Sequence, residues 1–344
     1  MSDLASEHPA GDTRSLEQRP GRSSIWLLAF VLCALVAVLN HVANLKDRDV
    51  YQNYYSSVGS CDGLACMLIS DDVRSPVFLS LIVVGQRAGL DFNLVFTLIS
   101  VTSIFLFAAA LRGAREQAAD LRFVLISIGL GTWLYLIQVK LFLAVALYLY
   151  SKICRRRWLR IALIIASVLT HESMLFFLAL EVLWRPREWR LSVRSLVVLA
   201  IFATLLIVYL GAASNIFFNV AEKIQQYNEY AAQGDVPAMS RLSPFAAFFF
   251  MFGLIGLLRL RVAPGGAMNV SHLKSTIWMF LPWIVLMVFA DNAVFATRLS
   301  ELALLHALLY VPVASDYRLP SRLLLLVFAT TFGALTFVRD VLFA

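Results

Sequence analysis

Apolar residues recur along the chain in long runs whose length matches the thickness of a bilayer. A helix needs about 20 predominantly apolar residues to cross the hydrocarbon core. The runs lie near 25–45, 92–111, 122–138, 139–151, 194–213, 244–260, 275–290, 299–314 and 322–338. This pattern predicts an all-α fold, a polytopic transmembrane helical bundle.

Two further apolar stretches are interrupted by polar residues. Residues 76–90 begin at a proline and contain Gly85-Gln86-Arg87, which is typical of a re-entrant or interfacial helix. Residues 159–183 are broken by Thr170-His171-Glu172-Ser173, and we interpret them as two half-helices that meet at this tetrad. Polar groups at that depth need partners or a water-filled cavity. With these two stretches we expect about 9–11 membrane segments.

The composition excludes a soluble globule. Of the 344 residues, 60% are hydrophobic and 15% are charged, whereas soluble proteins average about 45–50% and about 25%. The first apolar run follows a hydrophilic stretch and has no small-residue cleavage pattern after it, so we expect it to remain as a signal anchor. We expect a disordered cytoplasmic tail over 1–24, a single transmembrane domain over 25–338 and a C-terminal tail over 339–344.

The net charge of +7 bears on orientation more than on partners. Excess Lys and Arg in a membrane protein marks the loops that remain in the cytoplasm. With the N-terminus inside, and with both interrupted stretches returning to the side they came from, most of the 29 Lys and Arg residues lie on the inner side. The outer loops at about 46–75 and 214–243 are then long and polar. No basic and aromatic interleaving typical of nucleic-acid binding is present, and no Gly-rich phosphate loop.

The four cysteines are too few for a disulfide scaffold. Cys33 and Cys154 are expected to be free thiols. Cys61 and Cys66 can close a small loop if that loop faces an oxidising compartment.

Ionisable side chains and tyrosines are concentrated at the outer rim rather than at the midplane, where an ion-coupled transporter carries its carboxylates. This distribution suits a site that works on a lipid-linked polar substrate. Asp47 and Asp49 follow the first span; either can act as a general base on a sugar hydroxyl, or both can belong to a solvated turn. His171 either faces a cavity as a functional group or belongs to a hydrogen-bonded helix break.

Cations at the same rim are candidates for holding phosphate. Lys140 lies between two short apolar runs, where it can bind a phosphate as a point charge or extend to the interface. Arg298 can bind a diphosphate in a bidentate manner or pair with Glu301 at i,i+3. Lys223 lies in a stretch with helical spacing of tyrosines, which either stack on sugar rings or anchor the interface.

Metal and hydrolase chemistry have little support. The five histidines are scattered, without a His-x-x-x-His pair or a cysteine pair suited to zinc. No Gly-x-Ser-x-Gly elbow is present. We therefore expect no metal and no cofactor.

Taken in order, these features resemble the EpsG/Wzy-type family of bacterial polysaccharide (O-antigen) polymerases, GT-C-like integral membrane glycosyltransferases. In that family an Asp soon after the first span is followed by spaced tyrosines, as Asp47 is by Tyr51, or Asp49 by Tyr54. Its Glu-Pro segment and following turn correspond to Ser75-Pro76, where the Glu is missing, and to Gly89-Leu90-Asp91-Phe92-Asn93.

Three later elements continue the resemblance. Lys140-Leu141-Phe142-Leu143-Ala144 stands where the family has Arg-Gln-x-Leu-Ala, so a positive charge is kept while the bidentate guanidinium is lost. His171-Glu172-Ser173 matches the family's His-x-Ser element. Arg298 matches an arginine that begins a late span.

The resemblance implies a GT-C-like fold and an inverting polymerase of undecaprenyl-pyrophosphate-linked repeat units on the periplasmic face of the inner membrane, in O-antigen, lipopolysaccharide or exopolysaccharide synthesis. Its partners would be that lipid-linked glycan, membrane lipid and a chain-length regulator protein, with no nucleic acid. The candidate catalytic residues are Asp47, Asp49 and His171, and the candidate substrate-binding residues are Lys140, Arg298, Lys223, Arg74, Tyr51, Tyr54 and Glu301. The alternatives are a flippase or transporter of a lipid-linked glycan, and a related GT-C transferase or O-antigen ligase.

Overall fold

The computed structural model describes residues 24–42, 48–59, 75–114, 119–184, 238–260, 270–288, 293–310 and 319–338. All regular structure in these ranges is helical. The helices are α1 (Ser24–Val42), α2 (Arg48–Gly59), α3 (Pro76–Arg87), α4 (Phe92–Gly113), α5 (Ala119–Gly131), a π-helical segment (Thr132–Ile137), α6 (Val139–Ile153), α7 (Arg157–Thr170), α8 (Met174–Trp184), α9 (Ala238–Leu260), α10 (Val270–Val288), α11 (Ala293–Tyr310) and α12 (Leu319–Phe337). The all-α prediction is confirmed, and the GT-C-like arrangement stays a prediction.

Several helices have the length and the apolar surface of membrane helices. Ser24–His41, Phe92–Gly113 and Ala119–Ile137 are long and apolar enough to cross a membrane. Shorter apolar helices cover Pro76–Arg87, Phe245–Leu258, Ser275–Val288 and Leu323–Phe337. Large apolar side chains such as Phe30 and Val288 face outward, which suits lipid rather than water. The described part of the chain is therefore consistent with a helical membrane protein.

Some expectations lie outside the described residues. These are the tail before residue 24, the tail 339–344, most of the outer loops, the span predicted over 194–213, and the cysteine pair 61 and 66. Cys33 and Cys154 are buried free thiols, as predicted.

The first interrupted stretch forms the short helix α3, which begins at Pro76 and ends before a tight turn. Gly89 has a φ of 73°, the left-handed conformation that favours glycine. The Gly89 N–H donates to the carbonyl of Gln86, and the Leu90 N–H donates to the carbonyl of Gly85. This is a Schellman motif. Asp91 then caps α4 by accepting from the N–H of Leu94 at 2.8 Å.

The second interrupted stretch forms two half-helices, as predicted, and together they make a hairpin. Ser167 of α7 donates to the carbonyl of Ala144 at 2.7 Å. On α8, the Phe177 ring lies 5.8 Å from the Tyr148 ring, and Glu181 accepts from Lys152 at 2.8 Å. Helix α8 therefore runs parallel to α6, whereas α7 runs antiparallel to it. His171 lies at the tip of the hairpin.

Contacts between the other helices fix which ends lie together. Tyr51 of α2 binds the carbonyl of Ile137, just before α6 begins. The Arg48 guanidinium donates to the Asn93 side chain at the start of α4. We call this end of the bundle, which also holds the hairpin tip, the Lys140 end. The opposite end, where α6 passes into α7 at Arg155, is the Arg155 end.

Helix α11 runs parallel to α6 and α8. Its last residue, Tyr310, accepts a hydrogen bond from Lys152 near the end of α6. Its His306 packs on Phe177 of α8, with 5.0 Å between the ring centroids. The start of α11 therefore points toward the Lys140 end.

Candidate active site at the Lys140 end

A π-helical segment joins α5 to α6 without an intervening loop. The Tyr135 carbonyl accepts from the Ser100 hydroxyl at 2.9 Å, and the Ile137 carbonyl accepts from the Tyr51 hydroxyl at 3.0 Å. Hydroxyl groups from α4 and α2 thus bind carbonyls that the widened helical turn presents. Gln138 then breaks the helix with φ −98° and ψ 45°. π-Helical turns occur frequently at functional sites.

Lys140 lies in the first turn of α6. This position agrees with the predicted tight connection between two apolar runs. Its side chain is half-buried, while its neighbours Val139 and Leu141 are buried. The first turn of a helix also presents backbone N–H groups and the positive end of the helix dipole. Lys140 and the start of α6 together therefore make this position favourable for an anion.

His171 lies at the hairpin tip in extended backbone, with φ −154° and ψ 125°. It is 9% exposed. Its Nδ1 accepts a hydrogen bond from the backbone N–H of Ser173 at 3.1 Å, and Glu172 Oε2 lies 3.9 Å from the same nitrogen. We infer from the Ser173 bond that the neutral imidazole carries its proton on Nε2, because an accepting Nδ1 has no proton. His171 is thus arranged to donate through Nε2.

The carboxylate and tyrosine candidates on α2 occupy three different environments. Asp49 is exposed in the first turn of α2. Tyr51 is buried against Phe78 and Phe96, with its hydroxyl on the Ile137 carbonyl. Tyr54 is half-buried at the edge of the same aromatic cluster. Asp49 therefore lies at the surface, whereas Tyr51 binds the carbonyl at the end of the π segment.

Arg298 lies on α11 at the level of the hairpin tip. His306 Nε2 is 3.7 Å from Glu181 Oε2, which fixes the register of α11 beside α8. Arg298 precedes His306 by the same number of residues as Ser173 precedes Glu181, an axial rise of about 12 Å. Arg298 is half-buried, and Glu301, one turn further along, is 1% exposed. The register therefore brings Arg298 to the Lys140 end.

The remaining candidates, Asp47, Lys223 and Arg74, lie outside the described residues. Contacts place Asp49, Tyr51, Tyr54, Lys140 and His171 at one end of the bundle, and the helix register adds Arg298 and Glu301. These residues come from α2, α6, the hairpin tip and α11, which are far apart along the chain.

Sequence reasoning missed a polar cluster at the Arg155 end, with three buried and two half-buried side chains. We call it the Glu181 cluster: Lys152, Glu181, Trp278, His306 and Tyr310. Neither Lys152 nor Glu181 is singled out in the sequence analysis, although an ionisable residue inside an apolar helix, such as Glu181, is a usable signal. Arg122, at the start of the predicted run 122–138, is buried and donates to the carbonyl of Leu309.

No curated protein and no solved structure matches the chain. A family model described as the EpsG family matches residues 24–343, which is nearly the whole chain. Together with the apolar helices, this match gives a membrane-embedded protein with a polysaccharide polymerase-type role. The predicted resemblance is confirmed: the chain belongs to the EpsG family.

Proposed function

We propose that the chain polymerises undecaprenyl-pyrophosphate-linked oligosaccharide repeat units at the periplasmic face of the bacterial inner membrane, by inverting glycosyl transfer. The product is an O-antigen or exopolysaccharide chain. The observation that supports the proposal is that Lys140, His171 and Arg298 lie at the same end of the bundle, which also holds Asp49. An anionic leaving group and a hydroxyl nucleophile need this combination of cations, a neutral donor and a carboxylate.

The reaction requires one bond to form as another breaks. The acceptor hydroxyl oxygen attacks the anomeric carbon of the donor glycan, and the bond from that carbon to the pyrophosphate oxygen breaks. The electron pair leaves with the pyrophosphate, and the hydroxyl proton passes to a base. A single displacement inverts the anomeric carbon and needs no protein nucleophile. Catalysis then depends on the base and on stabilisation of the leaving group.

Leaving-group stabilisation falls to the cations and to His171. Lys140 adds its charge to the N–H groups at the start of α6. Arg298 can hold two phosphate oxygens at once, which a lysine cannot do. His171 donates through Nε2 without adding a charge. This division of roles explains how the family's arginine position can be filled by Lys140, provided that Arg298 supplies the bidentate contact.

The base is then a carboxylate. A neutral His171 with its proton on Nε2 could take up another proton only on Nδ1, and Nδ1 already accepts from the Ser173 N–H. Among the residues that the structure describes, Asp49 is the candidate base, and Asp47, two residues earlier, is the alternative. Helix α2 is held in place by the Tyr51 bond to Ile137 and by the Arg48 bond to Asn93. Because these two contacts hold α2 in place, a carboxylate on α2 can keep a constant position relative to Lys140.

The test uses Lys140→Ala and Arg298→Ala, each produced in cells that lack the native protein. We expect lipid core bearing a single repeat unit in place of long chains, because the pyrophosphate loses a cation as it leaves. Gel analysis of the polysaccharide and mass analysis of the lipid-linked intermediates measure this. Arg155→Ala is the matched control, since it removes an exposed cation at the other end and should leave long chains intact.

Three outcomes would overturn the proposal. Normal long chains from both Lys140→Ala and Arg298→Ala would show that neither cation stabilises the leaving group. Repeat units that accumulate only on the cytoplasmic side would indicate a flippase. Long chains that remain on the lipid carrier without transfer to lipid core would indicate a ligase.

A further inference from the structure

The Glu181 cluster joins four helices through the buried side chains of Glu181, Trp278 and His306 and the half-buried side chains of Lys152 and Tyr310. Lys152 Nζ donates to Glu181 Oε1 at 2.8 Å and also to the Tyr310 hydroxyl. His306 Nε2 lies 3.7 Å from the other carboxylate oxygen of Glu181. The Trp278 indole donates to His306 Nδ1 at 2.9 Å. These contacts tie α6, α8, α10 and α11 together.

The protonation pattern of the cluster follows from these bonds. Because Nδ1 of His306 accepts from Trp278, its proton lies on Nε2 and faces the Glu181 carboxylate. The Lys152 ammonium also lies over the rings of Tyr148 and Tyr310, at 4.7 and 4.5 Å from their centroids. Each charge in the cluster thus has complementary neighbours, which a charge inside an apolar bundle requires.

Three of the four joined helices carry the proposed active site at their other ends. Helix α6 bears Lys140, α8 begins just after His171, and α11 bears Arg298. The cluster lies about 18 Å from Lys140 along α6, about 15 Å from His171 along α8 and about 12 Å from Arg298 along α11. Helices of this length are stiff, so a contact that fixes one end sets the axial register of the other.

We propose that the Glu181 cluster positions the active site: it fixes the relative register of α6, α8 and α11, and so holds Lys140, His171 and Arg298 in one converging arrangement. Its members are positioning residues, because they lie more than two helical turns from the proposed site along each helix. The activity readout below rests on the proposed function, whereas the distance readout does not.

The competing explanation is that the cluster only stabilises the fold. The two explanations differ for a double variant. Replacing both members of a buried ion pair by apolar side chains is often neutral or stabilising, whereas removing one member leaves a buried charge unpaired. Lys152→Met/Glu181→Leu should therefore remain folded under either explanation. It should recover full activity only if the cluster contributes stability alone.

The experiment uses full-length protein in lipid nanodiscs, with kcat and KM measured on an undecaprenyl-pyrophosphate-linked repeat unit and with the unfolding temperature recorded. For Glu181→Gln and for the double variant we expect kcat to fall about 100-fold with little change in KM, as for a misplacement of about 1 Å. Lys152→Arg keeps the charged donor and should retain most of the activity. Asp120→Asn is the matched control, because Ser24 binds Asp120 at the same end, at 2.8 Å, but joins α1 to α5.

A second readout reports geometry without catalysis. Spin labels at Leu98→Cys on α4 and Leu175→Cys on α8, both exposed, measure how α8 sits near the Lys140 end in a background without the native cysteines. We expect Glu181→Gln to shift or broaden this distance by about 1–2 Å, the size of a helix shift, and Asp120→Asn to leave it unchanged. An unchanged distance in folded Glu181→Gln, or full kcat in the double variant, would overturn the positioning role. If Lys140→Ala and Arg298→Ala both polymerise normally, the proposed function fails, whereas the spin-label distance still tests whether the Glu181 cluster fixes the position of α8.

Discussion

The two ends of the bundle hold their charged side chains in different ways. At the Arg155 end, Lys152 and Glu181 pair with each other inside regular helices. At the Lys140 end, the side chains of Lys140 and Arg298 are half-buried, and the backbone around them leaves the regular α-helical path at the π segment and at His171. Under the two proposals above, the Arg155 end serves as a scaffold and the Lys140 end as the place where the pyrophosphate binds.

The difference teaches where to look for chemistry in a bundle of this kind. Under the positioning proposal, the ion pair of Lys152 and Glu181 fixes the register of the regular helices that carry it. Irregular backbone exposes carbonyl and N–H groups that need partners, and it re-aims the side chains beside them. The Lys140 end has two such breaks, each within two or three residues of a candidate functional side chain. Substitutions at these two breaks should alter catalysis, and their effects on catalysis and on stability can be measured separately.

Substitution of His171 should give the largest effect that sharpens the comparison. His171→Ala removes the Nε2–H donor and the acceptor for the Ser173 N–H. His171→Asn removes the imidazole Nε2–H and leaves only a shorter amide that does not reach its position, but keeps a good helix-capping side chain. We expect both variants to lose about 100-fold in kcat, as for the loss of one transition-state donor. Only His171→Ala should also lose stability, by about 1 kcal/mol.

Unfolding measurements and polymerisation assays on both variants check the His171 prediction. Glu172→Gln, which keeps the size of the neighbouring side chain, is the control for the tip as a whole. Normal activity in His171→Asn would mean that His171 only caps α8, and the Lys140 end would then lose its proposed neutral donor.

The sequence was informative wherever a polar residue interrupted an apolar run. The tetrad at 170–173 predicted the hairpin break, and the short runs on either side of Lys140 predicted the tight connection, because both signals are local. The Glu181 cluster was missed because the partners of Glu181, which are Lys152 and His306, are distant from it in the chain. Each of the three residues therefore looks isolated in the sequence. The π segment was missed because it depends on hydroxyls that Ser100 and Tyr51 bring from other helices.

Tyr51→Phe should give a smaller effect, because it changes only the support of the irregular end. The substitution removes the hydroxyl that binds the Ile137 carbonyl and keeps the ring against Phe78 and Phe96. An unsatisfied buried carbonyl costs about 1–3 kcal/mol. Since Lys140 follows Ile137 closely, we expect a few-fold loss of polymerisation as well.

Tyr55→Phe is the matched control for Tyr51→Phe, since its hydroxyl binds the Leu90 carbonyl at 2.5 Å, away from the π segment. Thermal unfolding and chain-length analysis compare the two variants. Complete loss of polymerisation in Tyr51→Phe at unchanged stability would instead assign Tyr51 to substrate binding.

Gly89→Ala should give the smallest effect, and it tests whether every change near the Lys140 end alters catalysis. Gly89 has a φ of 73°, and no atom lies within 4 Å of the position that an added Cβ would take. The cost is therefore backbone strain alone, about 1–2 kcal/mol, without a clash that would displace α3 or α4. We expect a lower unfolding temperature and normal chain length, with Ala88→Ser as the exposed neighbouring control. A loss of polymerisation equal to that of Tyr51→Phe would show that the α3–α4 turn belongs to the site, and would remove the distinction between the π segment and the rest of that end.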